Sequence, residues 1–191
     1  MYCFEYEMLV NKEHRLAPSY IPDNLMEPSI PFIAPEGDPK RLLEYRAAKA
    51  AEQLFAGALG AGLSLYGISG YRSYERQREI YDNAADTSYI APPGGSEHQT
   101  GLALDVSCPG VDLDLIEEFA DTAEGIWLKR HAPLYGFILR YPKSKEKITG
   151  YACEPWHIRY VTRSLALYLT LTGLTLEEYH VQTPTVPSGA P

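Results

Sequence analysis

Two short segments, SEHQTGLALD (96–105) and EPWH (154–157), constrain this chain more than any other part of it. Together they hold His98, Asp105, Glu154 and His157. Imidazole nitrogens and a carboxylate oxygen are donors for a catalytic zinc ion, which takes three protein ligands and keeps one position open. His98, Asp105 and His157 can supply those three. Glu154, three residues before the last ligand, is then placed to take a proton from the attacking water. A fold that satisfies this set has to make two distant segments converge.

Local patterning says how. Residues 102–107 alternate, with Leu102, Leu104 and Val106 on one side and Ala103, Asp105 and Ser107 on the other, which predicts a strand. Asp105 then sits on a half-buried sheet face, where an unpaired carboxylate is costly. A metal ion would satisfy it, and so would an arginine. Ala103 is small and leaves room above that face, and Gly94, Gly95 and Gly101 permit tight backbone around His98. A second strand is expected over 156–161, with His157 and Arg159 on the face opposite Trp156, Ile158 and Tyr160. In a regular strand the odd offset would turn Glu154 away from His157. Pro155 argues against a central-strand position and for a bend that returns Glu154 over the metal face. Cys108 and Cys153 are possible competing ligands, although three ligands already suffice. His14, His131 and His180 lie in charged or helix-end settings and are read as ordinary.

The remaining elements follow from periodicity and punctuation. Six prolines between Pro18 and Pro39, interleaved with Tyr20, Ile21, Leu25, Met26, Ile30, Phe32 and Ile33, predict an extended arm docked on the domain. Asp38-Pro39 predicts a helix start, with an apolar stripe from Leu42 to Phe55. A strand is expected over 63–68, and a helix capped by Ser73 over YERQREIYDNAA. The APPGG segment marks a loop. A helix is expected over 112–131, with Leu115, Ile116, Phe119, Ile126, Trp127 and Leu128 inward. Further expectations are a short strand over 137–139, a charged hairpin loop over 142–150, a helix over 164–171 and a short helix at TLEEYH. Helices with short, non-alternating strands give an α+β fold: a small antiparallel sheet flanked by helices, with the zinc site on one sheet face. One domain is expected over 1–182, including the arm (about 1–38), followed by a disordered tail over 183–191.

Composition excludes some functions. A net charge of −8 argues against a nucleic-acid partner, which needs a basic face. No apolar run approaches the ~20 residues that span a bilayer. The first residues show no signal-peptide pattern, so a cytoplasmic location is expected as the chain stands, or the cell envelope if a leader precedes it. Three scattered cysteines without a CxxC pair are read as free thiols.

The elements SGYRSYERQ, SEHQTGLALDVS and YGFILRYP…EPWHIRYV resemble the zinc D,D-carboxypeptidases of the VanY and VanXY type. These belong to a wider group with the D-Ala-D-Ala metallopeptidases, lysostaphin-like enzymes and the hedgehog signalling domain. The resemblance runs from about Leu9 to about His180. It implies zinc held by His98, Asp105 and His157, a catalytic base at Glu154, and substrate contacts from Arg72, Gln77 and Ser96. An arginine at position 72 can aim its guanidinium at a carboxylate or a developing oxyanion. The implied activity is zinc-dependent removal of terminal D-Ala from peptidoglycan stem peptides or precursors. A D-Ala-D-Ala dipeptidase or a cell-wall endopeptidase would share the same ligands. From another class, a zinc-stabilised binding module without catalysis would keep the fold. A monomer or weak dimer is expected.

Overall fold

The computed structural model describes residues 6–85 and 90–183. The tail expected over 183–191 lies outside the described residues beyond Thr183.

The arm runs extended across the domain and is tied down by backbone groups. Leu16 donates to the Gly94 carbonyl, Ile33 donates to Gly67, and Gly67 donates to Pro31. Within it β1 (Leu25–Met26) pairs antiparallel with β2 (Leu43–Glu44). The helix expected from Asp38 begins later than its sequence signal. Asp38 and Pro39 start only a 3-10 turn over Pro39–Arg41. The long helix α1 spans Tyr45–Gly60, and its N-cap is Glu44, whose carboxylate accepts from the Arg46 and Ala47 amides. Leu42 and Leu43 therefore belong to the preceding extended segment, where strand pairing and a better-placed cap win over the Asp-Pro signal.

Next come β3 (Tyr66–Ser69) and α2 (Tyr74–Asp82), whose N-cap Ser73 accepts from the Arg76 amide. A 3-10 turn over Glu97–Thr100 leads into β4 (Ala103–Ser107). The helix expected over 112–131 is shorter. Asp112 and Leu113 adopt positive φ, which no helix start tolerates, and Glu117–Asp121 form a 3-10 turn. Only Ala123–His131 is α-helical (α3), capped by Thr122. Two residues expected to face inward, Ile116 and Ile126, are exposed. Then follow β5 (Phe137–Tyr141), the short α4 (Glu146–Thr149) within the expected hairpin loop, β6 (Glu154–Tyr160), α5 (Arg163–Thr172) and α6 (Leu176–Gln182). A capping box between Thr175 and Glu178 opens α6.

The four longer strands form one antiparallel sheet in the order β3-β4-β6-β5. One face packs on α1: Leu104, Val106, Ile158 and Phe137 join Ala47, Ala51, Leu54 and Phe55 in the main core. Full burial of a Leu or Phe contributes roughly 1.5–3 kcal/mol, so this face anchors the sheet. A smaller cluster of Ile138, Val161, Leu165, Leu169 and Leu176 seats α5 and α6. The opposite face of β4 and β6 carries Asp105, His157 and Arg159, all buried.

Candidate active site

The register of the sheet builds the site. Asp105 on β4 and His157 on β6 are direct cross-strand partners, so their side chains leave the same face side by side. His157 Nδ1 lies 2.9 Å from Asp105 Oδ1. His98 arrives from the 3-10 turn before β4, and its Nε2 lies 3.2 Å from Asp105 Oδ2. Gly101 closes that turn with φ +68, a left-handed conformation that glycine adopts without strain.

A backbone carbonyl sets the orientation of His98. Its Nδ1 lies 2.7 Å from the Gly70 oxygen, so Nδ1 carries the proton and Nε2 keeps its lone pair toward Asp105. Gly70 itself is wedged against the segment that follows the arm. Its amide donates to Lys40 O at 2.6 Å, and a Cβ there would run into the Leu42 carbonyl. Gly70→Ala should therefore cost about 1–3 kcal/mol of stability, the usual range for overpacking. The check is a lowered denaturant midpoint at constant slope, and an unchanged midpoint would contradict the contact.

Glu154 begins β6, so that strand starts two residues earlier than expected and takes Pro155 inside it. The ladder with β5 shifts register between Leu139 and Tyr141, which pair with Ile158 and Glu154. The resulting bulge accommodates the proline. It also brings Glu154 Oε2 to 3.8 Å from His157 Nδ1. Arg72 and Gln77 face the same cleft. Arg72 Nη1 donates to Gln77 Oε1 at 2.9 Å, and Nη2 donates to Ser69 Oγ at 3.3 Å. Gln77 Nε2 donates to the Ala91 carbonyl at 2.7 Å. Gln77 is thus spent largely on Arg72 and the 90s loop. Ser96 is buried on the cleft wall. Tyr141, Tyr151 and Trp156 complete a cavity of about 310 Å³ around these groups.

The charges are strongly coupled. Burial alone would raise the Asp105 carboxyl, but the two imidazoles facing it hold it well below the usual carboxylate range. Burial would lower His157, yet hydrogen bonds to Asp105 and Glu97 push it up to about 10. Burial pushes His98 down from the ordinary imidazole value, against the pull of Asp105. Burial pushes Glu154 up to about 7, against the opposing pull of His157. A half-wet carboxyl poised near neutrality beside a cluster of nitrogen and oxygen donors suits proton transfer.

His98, Asp105 and His157 each offer a donor atom, all lying within 4.8 Å of one another. Two imidazoles and one carboxylate match the donor chemistry of catalytic zinc. Asp105 meets these histidines rather than an arginine as hydrogen-bond partner. Cys108 and Cys153 are free, and the donor group contains neither. His14, His131 and His180 each bond to a neighbour within four residues.

Sequence patterning assigns no role to Glu97, Arg140 or Arg159, although it sets Arg159 on the face of His157. Glu97 is fully buried next to His98, with its Oε1 held by Arg140 Nε at 2.8 Å and Arg159 Nη1 at 2.7 Å. Its Oε2 lies 3.4 Å from His157 Nε2. The available signal was the shared strand face of His157 and Arg159: a buried arginine there demands a carboxylate.

A donor set of this kind in a sheet-face cleft, with a poised acid at its edge, is the arrangement that metal-dependent hydrolases use. Residues 40–163 match the VanY family, described as D-alanyl-D-alanine carboxypeptidase, and the chain belongs to that family. It is 44% identical over 178 residues to the YodJ protein of Bacillus subtilis, covering 90% of this chain and 65% of the relative. The chain thus spans just under two thirds of that relative's length. Among solved structures it resembles the LdcB LD-carboxypeptidase, with a TM-score of 0.88 and 44% identity over 91% of this chain and 84% of that one. It also resembles a vancomycin-resistance D,D-pentapeptidase VanY mutant in complex with Zn(II), with a TM-score of 0.74 and 32% identity over 92% and 98% of the two chains. Among the described residues, no helix is long and apolar enough to cross a membrane.

Proposed function

We propose that this chain is a zinc carboxypeptidase that removes a terminal D-alanine from peptidoglycan stem peptides or their precursors. The observation that carries this reading is the buried His98–Asp105–His157 donor set with the Glu154 carboxylate 3.8 Å from His157. His98 through Nε2, Asp105 through its carboxylate and His157 through Nδ1 would hold zinc, which supplies Lewis acidity to the scissile carbonyl and the attacking water. Glu154 takes the water's proton and returns it to the leaving amine, a task that suits a carboxyl pushed up to about 7. Arg72, braced by Gln77 and Ser69, offers guanidinium N–H groups to the substrate's terminal carboxylate or to the developing oxyanion. Ser96 adds a hydroxyl on the cleft wall. The zinc complex of the VanY relative supports the choice of metal.

A second reading, L,D-carboxypeptidase, is favoured by the likeness to LdcB at 44% identity. The two activities differ in the residue that precedes the scissile bond. Mass spectrometry of products decides between them, using one peptide ending in D-Ala-D-Ala and another whose last bond joins an L-residue to D-Ala. Loss of D-Ala from the first supports the D,D reading. Cleavage of the second alone sinks it in favour of the L,D reading, and cleavage of neither, with zinc bound, sinks both.

Zinc binding should depend steeply on pH. His157 holds its proton up to about 10, so at lower pH the ion has to displace that proton. Apparent zinc affinity should then rise about tenfold per pH unit across the neutral range, because each ion bound releases a proton. Competition titration against a chelator of known pH dependence measures the slope, and a flat profile would mean that no proton leaves His157 on binding.

A further inference from the structure

Behind the donor set lies a buried ionic cluster that the proposed chemistry does not use. The side chains of Glu97, Arg140 and Arg159 are 0% exposed. Glu97 divides its two oxygens between two tasks. Oε1 takes both arginines, at 2.8 and 2.7 Å, and Oε2 faces His157 Nε2 at 3.4 Å. The arginines are fixed in turn. Arg140 forks onto Glu177 of α6 through Nη1 at 2.8 Å and Nη2 at 2.6 Å. Arg159 Nη2 donates to the Met8 carbonyl of the arm at 2.9 Å. On its other side His157 packs against the Tyr141 ring, with centroids 4.9 Å apart.

This geometry bears on which nitrogen of His157 is free to ligate. A neutral imidazole carries one proton. Placed on Nδ1, it would leave the Nε2 lone pair against an anionic carboxylate oxygen whose side chain is fully buried, a repulsive contact. Placed on Nε2, it faces Glu97 Oε2 at 3.4 Å and leaves the Nδ1 lone pair toward Asp105 Oδ1 at 2.9 Å, an arrangement that becomes favourable once a cation lies between those two atoms. The two arginines keep Glu97 ionised and stationary, so the bias does not depend on a mobile side chain.

We propose that Glu97 is a positioning residue: it holds the proton of His157 on Nε2 so that Nδ1 faces the metal, and Arg140 and Arg159 lock it in that role. The inference rests on the reading of His157 as a metal ligand. It links the arm and α6 to the metal site through rigid ionic contacts.

The test is nitrogen-15 NMR of the histidine rings in the zinc-loaded full chain. The wild-type protein should show His157 with a slowly exchanging proton on Nε2 and none on Nδ1. A proton on Nδ1 with bare Nε2 overturns the inference, and this measurement needs no variant to fold. Glu97→Gln removes the anionic acceptor and should raise the zinc Kd about 10–100-fold, as loss of a ligand's outer hydrogen-bond partner does. It should also speed exchange of the Nε2 proton. Glu177→Gln, which loosens Arg140 without touching His157, isolates the contribution of the lock. It should weaken zinc and speed Nε2 exchange by less than Glu97→Gln does, because Arg159 still holds Glu97. Equal weakening of zinc by the two variants would reduce Glu97 to a structural role and overturn the proposal. A wild-type chain that binds no zinc refutes the metal reading separately. In the metal-free protein both ring nitrogens of His157 should then carry a proton, and slower exchange at Nε2 in the wild type than in Glu97→Gln upholds the Glu97 contact, whereas equal exchange refutes it.

Discussion

Glu154→Ala should bind zinc as the wild-type protein does and lose about 10²–10⁴ in kcat, the range that a positioned general base contributes. The fold should survive the change. The Glu154 side chain is 25% exposed, and its ionic neighbour is His157 at 3.8 Å, beyond hydrogen-bonding distance. Removing it therefore strands no buried partner. The three donor atoms stay in place, because His98 is set by Gly70, and Asp105 is paired with both imidazoles. KM should move little, since substrate positioning is assigned to Arg72 and Ser96. Metal analysis, circular dichroism and steady-state kinetics on one preparation check all three parts. Near-wild-type turnover in a folded, zinc-loaded Glu154→Ala protein would remove Glu154 from the mechanism. A loss of zinc would instead make it a ligand.

Period-two alternation over 102–107 was enough to place Asp105 on a buried sheet face, because β4 is regular and central. The same reasoning placed His157 and Arg159 on one side of β6, and both do reach Glu97. What local patterning could not supply was register. Nothing in either segment alone says that residue 105 pairs with 157; that follows from how the whole sheet is seated on α1. The bulge at Pro155 was legible only as a bend, since its size depends on β5 opposite. Errors fell where two local signals competed. Asp38-Pro39 reads as a helix cap, but Glu44 caps the helix and Leu43 is drawn into pairing with Met26. Glu97 was missed for a related reason. An acid in a turn reads as solvated, and only the tertiary arrival of Arg140 and Arg159 makes burial affordable.

Those two arginines make Glu97→Ala the substitution with the largest expected cost to the fold. Removing the carboxylate leaves two guanidinium groups, both 0% exposed, facing a void without their shared partner. Breaking a buried ion pair from one side typically costs about 3–5 kcal/mol, a large part of the roughly 5–15 kcal/mol that holds a domain together. Arg140 keeps Glu177 and Arg159 keeps the Met8 carbonyl, so the loss is partial rather than total. The pH dependence gives the test a second arm. Burial would raise the Glu97 carboxyl, but Arg140 and Arg159 hold it well below its ordinary value of 4.5. A carboxyl depressed in the folded state stabilises the fold above its unfolded pKa, and that stability drains away as pH falls toward the folded pKa. Wild-type unfolding free energy should therefore decline steeply with acidification below about pH 4.5. In Glu97→Ala that portion of the decline should be missing, while stability near neutrality is already reduced. Denaturation curves for both proteins at a series of pH values separate the outcomes. Parallel acid limbs would mean that Glu97 titrates alike in folded and unfolded chains, and the buried cluster would then contribute nothing to holding the sheet against its arm.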